Sequence, residues 1–200
     1  MSSKIGICNL ALSHLGISKE IANLDTDTSE EGAACRRYYD TALENILRDF
    51  PWPFTMKIAA LALVGTDPNT EWAYSYRYPV DCLTIRKILS GIRNDTRQSK
   101  VPYEIAQDAS GLLLFTDQTN AEIKYTIRTE NPQFYPPDFV LAFSLYLAYL
   151  MAPRVTGGDQ FKLGDRAARL YLVELSKANS RAQNEEQPDE PPDAEWIRER

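Results

Sequence analysis

Residues 72–88 read Trp-Ala-Tyr-Ser-Tyr-Arg-Tyr-Pro-Val-Asp-Cys-Leu-Thr-Ile-Arg-Lys-Ile. Trp72, Tyr74, Tyr76 and Tyr78 recur at every second position, so an extended strand here turns all four rings to one face. Pro79 has no N–H to donate and breaks the ladder. Val80, Leu83, Ile85 and Ile88 then mark a second strand. Four large rings on one face make a core or a contact surface rather than reaction chemistry. Trp72, Tyr74, Tyr76 and Tyr78 are therefore the first candidates for protein contact.

The period of two extends outward from this stretch, from Phe54 to about Thr129. Further strands are expected near 54–63, 101–106, 111–116 and 121–128. Residues 121–128, Ala-Glu-Ile-Lys-Tyr-Thr-Ile-Arg, alternate apolar and polar as a strand with one wet face does. Asp108–Gly111 and Asp117–Asn120 supply the turns. Together these segments predict one small antiparallel sheet.

On both sides the period becomes helical. Ile5, Cys8, Leu12 and Leu15 form the stripe of a short helix over 3–15, capped by Ser2 or Ser3 and ended by Gly16. Thr28 and Glu31 read as a capping box opening a helix over 28–50, with Cys35, Tyr39, Ala42, Leu43, Ile46 and Phe50 along one face. Pro51 and Pro53 stop it. Pro137 opens a segment, 137–152, that is apolar nearly all round, as the central helix of a bundle should be. Pro153 and Gly157-Gly158 separate it from a last helix over 159–182, with Phe161, Leu163, Ala167, Leu170, Tyr171, Leu175 and Ala178 inward.

After Ala182 the composition turns acidic and proline-rich, which predicts a disordered tail. Trp196, Ile197 and Arg198 lie beyond this linker and are candidate anchors for a partner, since Trp is a favoured hot-spot residue. The predicted fold class is α+β. A helical bundle from both chain ends (1–53 and 137–182) holds an inserted antiparallel β module (54–136) and carries a flexible acidic C-terminal tail (183–200).

Composition narrows the function. The 200 residues are 44% hydrophobic and 25% charged, with a net charge of −6 and eleven Tyr. No concentrated basic block exists to grip phosphates. Arg36-Arg37 and Arg166/Arg169 sit among carboxylates on helices and read as solvated faces. Cys8, Cys35 and Cys82 are widely spaced and read as buried free thiols. The apolar run Phe139–Met151 is too short to cross a bilayer, and no export signal is visible, so a soluble intracellular product with no membrane role is expected.

Reaction chemistry is hard to assemble from these residues. His14 is the only histidine and falls outside its helix's apolar stripe, which places it on the surface. No nucleophile elbow, phosphate-cradling loop or dinucleotide fingerprint is present. Thr156-Gly-Gly-Asp159 reads as a helix break capped by Asp159. Asp25, Asp27 and Glu30 lack a calcium-loop pattern. Glu44, Asp49 and Asp81 cannot be paired into a glycosidase couple. No catalytic residue, metal site or cofactor is expected, and the protein is read as a non-enzyme.

The order of segments is informative as a whole. ICNLALSHLG is followed by ACRRYYDTALENILRDFPWPF, then the Tyr-rich strand running into YPVDCLTI. Next come YPPDFVLAFSLYLAYLMAPRVTG, a helix ending KANSRAQNEE, and an acidic tail closing on Trp-Ile-Arg. Nearly full-length, this layout resembles the head-to-tail adaptors of short-tailed bacteriophages, the tail tubular protein A family. The resemblance implies a structural virion protein of the tail or neck, made in the host cytoplasm. Its copies form a ring, usually a dodecamer, under the portal protein, dock the tail nozzle protein and line part of the channel for genomic DNA without sequence-specific binding. It also makes residues 183–200 a portal-docking arm and the β module a nozzle contact. An acidic ring wall would repel phosphates and let DNA slide. The competing readings are a virion-associated cell-wall hydrolase, and an adaptor or neck protein of a long-tailed phage or prophage.

Overall fold

The computed structural model describes residues 3–92 and 100–185. It is a mixed α+β chain with four α-helices and two antiparallel sheets. The chain divides into a helical unit, residues up to Phe54 together with 128–185, and a β unit over Thr55–Ile127.

In the helical unit, α1 spans Lys4–His14. The Ser3 hydroxyl caps it by accepting from the Gly6 N–H. Gly16, at φ +75°, ends it in the left-handed conformation expected after a helix. Ile7, Cys8, Ala11, Leu12 and Leu15 are buried, so the apolar stripe centres on Ile7 and Cys8 while Ile5 sits at its edge.

Helix α2 spans Glu30–Asp49 and buries five of the six face residues expected of it; the sixth, Phe50, is buried just past the helix as its C-cap. Its cap differs from the expected Thr28–Glu31 box. Ser29 Oγ accepts from the Gly32 N–H, and Asp27 Oδ1 accepts from the Ser29 N–H. The side-chain oxygen one residue later lies closer to the helix's free N–H groups, so the cap moves by one position. Arg36 is more than a solvated face. Its guanidinium donates to the Leu24 and Asp27 carbonyls and pins the loop before α2.

Helix α3 runs Pro137–Val155, through Pro153 rather than stopping before it. Proline removes one donor, but this close to a helix end the loss is small. The stop is made downstream, where Thr156 Oγ1 donates to the Ala152 carbonyl and Gly157 and Gly158 take positive φ. At 19 residues and mean hydropathy 1.3, α3 is long and apolar enough to cross a bilayer by length and composition, contrary to the shorter run expected. Half of that window is buried, and α3 packs against α1, α2 and α4.

Helix α4 covers Leu163–Glu185. Asp159 caps it as expected: its two carboxylate oxygens accept from the Leu163 and Gly164 N–H groups. Ala167, Tyr171 and Ala178 face inward, but Phe161 sits in the preceding turn at 85% exposure and Leu170 lies on the outer face. Residues 128–136, expected in the β module, belong to the helical unit. Tyr135 packs its ring on Phe139 at 4.8 Å, and Arg128 pairs with Glu44.

The β unit has two sheets where one was expected. Strands Met56–Ala60 (β1), Cys82–Leu89 (β4) and Glu122–Ile127 (β7) form one, ordered β1-β7-β4. Strands Leu63–Thr66 (β2), Tyr74–Arg77 (β3), Glu104–Asp108 (β5) and Gly111–Thr116 (β6) form the other, ordered β2-β3-β6-β5. The expected single strand over 54–63 breaks where the chain changes sheets. The Leu61 N–H goes to the Ala121 carbonyl, while the Ala62 carbonyl accepts from Arg77 beside β2. Both sheets feed one core of Tyr76, Ile85, Ile88, Leu114, Ala121, Ile123 and Tyr125. Ile85 and Ile88 both face it, despite their odd spacing, because the ladder slips between Ile85 and Lys87. A bulge of one residue restores the facing. Val80 is fully exposed in the turn before β4, outside the strand expected to include it.

Candidate interaction site

The aromatic ladder is only partly a ladder. Strand β3 begins at Tyr74, so Trp72 lies ahead of it. There the indole Nε1 donates to Glu104 Oε2 at 2.8 Å, while Asn69 Oδ1 accepts from the Glu71 and Trp72 N–H groups. Asp117 accepts from the Ala73 N–H and aligns the strand's start. Tyr74 and Tyr76 keep the predicted side-by-side placement, with ring centroids 6.3 Å apart. Tyr76 is 1% exposed, and its hydroxyl donates to the Gln118 carbonyl. Its ring is core, not available surface, which corrects its candidacy for protein contact. Tyr78 is half-buried against the same core and accepts from the Cys82 thiol. Trp72 and Tyr74, both partly exposed, remain available to a partner. Trp196, Ile197 and Arg198 lie outside the described residues, as does most of the 183–200 arm.

Flanking this patch, Arg77 holds Asp108 through two nitrogens at 2.9 and 3.1 Å. The guanidinium keeps the Asp108 carboxyl below the usual carboxylate range. Asp81 is held by Lys57 at 2.7 Å and by the Tyr125 hydroxyl at 3.1 Å, and the Lys57 ammonium lowers its carboxyl likewise.

The carboxylates weighed for acid–base work are each engaged. Glu44 pairs with Arg128 at 2.7 Å, Asp49 accepts from the Tyr171 hydroxyl at 2.8 Å, and Asp81 is held as described. Of the three residues weighed for calcium, Asp27 serves the α2 cap and Glu30 pairs with Arg154. Among the described residues, no three His, Cys, Asp or Glu gather as a metal site. Cys8 and Cys35 are fully buried, and hydrogen bonding to Cys35 together with burial pushes the Cys8 thiol up. Cys82 is only half-buried.

His14 is not the surface residue the sequence suggested. It is half-buried at a pocket of about 320 Å³ shared with Leu145, Arg166 and Leu170, and its Nε2 lies 3.1 Å from Ser144 Oγ. The hint available beforehand was Ser144, a hydroxyl inside an otherwise apolar helix. The pair lacks what nucleophilic catalysis requires. Ser144 is 0% exposed and spends its proton on the Leu141 carbonyl.

What remains open to a partner is apolar. On α4, Leu170, Leu172 and Val173 are 43%, 62% and 49% exposed, and Tyr149 on α3 is 41% exposed. Large exposed aliphatics grouped on one helix mark a contact surface more often than an ordinary wet face. Compared with protein-family models and with curated proteins, the chain matches none.

Proposed function

We propose that this chain is a non-enzymatic assembly protein, the head-to-tail adaptor of a short-tailed bacteriophage virion. Copies form a dodecameric ring beneath the portal, the helices act as one bundle around α3, and the tail nozzle docks below. Genomic DNA passes through the ring without sequence-specific contact. The observation that carries this reading is the outer face of α4. Leu172 and Val173 stand exposed there, and a neighbouring copy is the covering a head-to-tail ring supplies. The layout of the chain agrees with it, since the helical unit draws on residues from both sides of the β unit.

The test is co-purification with the portal protein encoded beside it, followed by native mass spectrometry. A closed ring of twelve copies on the portal is the expected result. A chain that stays monomeric with its portal at micromolar concentration overturns the proposal.

A further inference from the structure

Phe161 is 85% exposed, and the turn that carries it is firmly built. On either side of it, Asp159 lies at φ +54° and Lys162 at φ +53°. Left-handed backbone is costly for a residue with a side chain, so bonding rather than propensity holds this turn. Thr156 Oγ1 accepts from the Asp159 N–H, the Asp159 carbonyl accepts from the Lys162 N–H, and the Asp159 carboxylate caps α4. The Phe161 ring is therefore a preorganised knob, and such a group gives up little freedom when a partner covers it.

The helical unit also carries a socket. A pocket of about 260 Å³ has Trp52, Pro53, Phe54 and Pro136 in its walls, while Arg181 of α4 and Asp138 of α3 add one charge of each sign. Trp52 and Phe54 each set a ring on Phe139 at 5.0 Å, which fixes the aromatic wall. The volume is below that of a drug-sized ligand site and suits one bulky side chain.

A chain cannot fill its own socket. Gly164 lies against Ala152, so the turn carrying Phe161 sits at the carboxyl-terminal end of α3. Pro136 and Asp138 lie at the opposite end of that helix, about 28 Å away over 19 residues at 1.5 Å each. A second copy brings the two together. Exposed Lys162 adjoins the knob and matches Asp138 of the socket in charge.

We infer that Phe161 of one copy seats in the pocket between the 50–54 turn and α4 of the next, with Lys162 beside Asp138. Knob and socket are different patches, so the contact repeats head to tail. Its closure into a ring rests on the adaptor reading, whereas the pairwise contact does not.

The test places the photoreactive residue p-benzoylphenylalanine at position 161 of the full-length chain and mixes it with ¹⁵N-labelled parent. The mixture is irradiated alone in concentrated solution and again with the portal. The expected result is mixed-isotope cross-links from position 161 to peptides containing 50–54 or 136–138. Phe161→Glu should melt with the parent while its self-association weakens about tenfold or more. Cross-links confined to one chain, cross-links that land elsewhere, or none in either sample overturn the inference, as does unchanged association of Phe161→Glu. A ring of twelve formed without this cross-link keeps the adaptor reading and removes the contact. The cross-link without a ring does the reverse.

Discussion

Nε2 of His14 and Oγ of Ser144 sit 3.1 Å apart, joining α1 to α3 across 130 positions of sequence. Because the Ser144 proton is committed to the Leu141 carbonyl, the imidazole carries hydrogen on Nε2 and donates.

Burial holds the His14 imidazole below its ordinary value. The unfolded chain therefore takes up this proton first as pH falls, near pH 6.5. Stability from this residue is fully present above that point and declines as pH drops toward the lower folded value, where the decline ends. His14 is the only histidine, so between pH 5 and 7 it should dominate the slope. Urea midpoints across that range should fall with acidification in the parent and stay level in His14→Gln.

The cap of α2 separates two neighbouring hydroxyls. Ser29→Ala removes the acceptor of the Gly32 N–H and should cost about 1 kcal/mol. Thr28→Ala should leave the denaturant midpoint within experimental scatter. The reverse ranking would restore Thr28 as the cap.

Gly164 lies where α3 and α4 touch. A Cβ placed there would come within 2.8 Å of the Ala152 Cβ and 2.9 Å of Asp159 Oδ2. Gly164→Ala gains about 1 kcal/mol of helix propensity but loses about 1–3 kcal/mol to overpacking and the disturbed cap. A net fall in melting temperature is the expected outcome, against the usual effect of such a change in a helix.

Tyr39 is 3% exposed, and its hydroxyl has no hydrogen-bond partner among the described residues. Removing an unsatisfied buried hydroxyl is neutral or favourable. Tyr39→Phe should keep the ring's edge contact with Phe143 at 5.0 Å and raise stability by up to about 1 kcal/mol, measured by chemical denaturation.

Leu147 and Leu172 should behave as opposites. Leu147 is fully buried in α3, and Leu147→Ala should cost about 2–5 kcal/mol. Leu172 is 62% exposed, so Leu172→Asp should leave melting unchanged while reducing assembly with the portal. Unfolding of Leu172→Asp, or its full retention of ring formation, would remove α4 from the interface.

What the sequence made legible was local chemistry acting on nearest neighbours. The Ser3 cap, the Gly16 stop, the Asp159 cap and the turn at Gly111 each depend on a few adjacent residues, and each lies where expected. The misreadings share a different cause. Ser29 competes with an equally competent Thr28, and only helix geometry chooses between them. Pro153 is tolerated because its carbonyl partner sits near a helix end. Phe161 was assigned inward by continuing a period past the helix it belongs to. The sheet change at Leu61-Ala62, the seat of Tyr76 in a two-sheet core and the meeting of His14 with Ser144 depend on residues far away in sequence. The α4 apolar face was in the sequence too, but Leu170 fits both an inward and an outward assignment until the helix is rotated into place.

The helical unit takes its members from both sides of the β unit, and this imposes an order on biosynthesis. Helices α1 and α2 leave the ribosome with their main packing partner, α3, still untranslated. At roughly 5–20 residues per second, the intervening β segment keeps them waiting for several seconds. During that interval Leu12, Leu43 and Ile46 lack the helix that buries them, which makes the nascent amino-terminal quarter the stretch most dependent on chaperone cover.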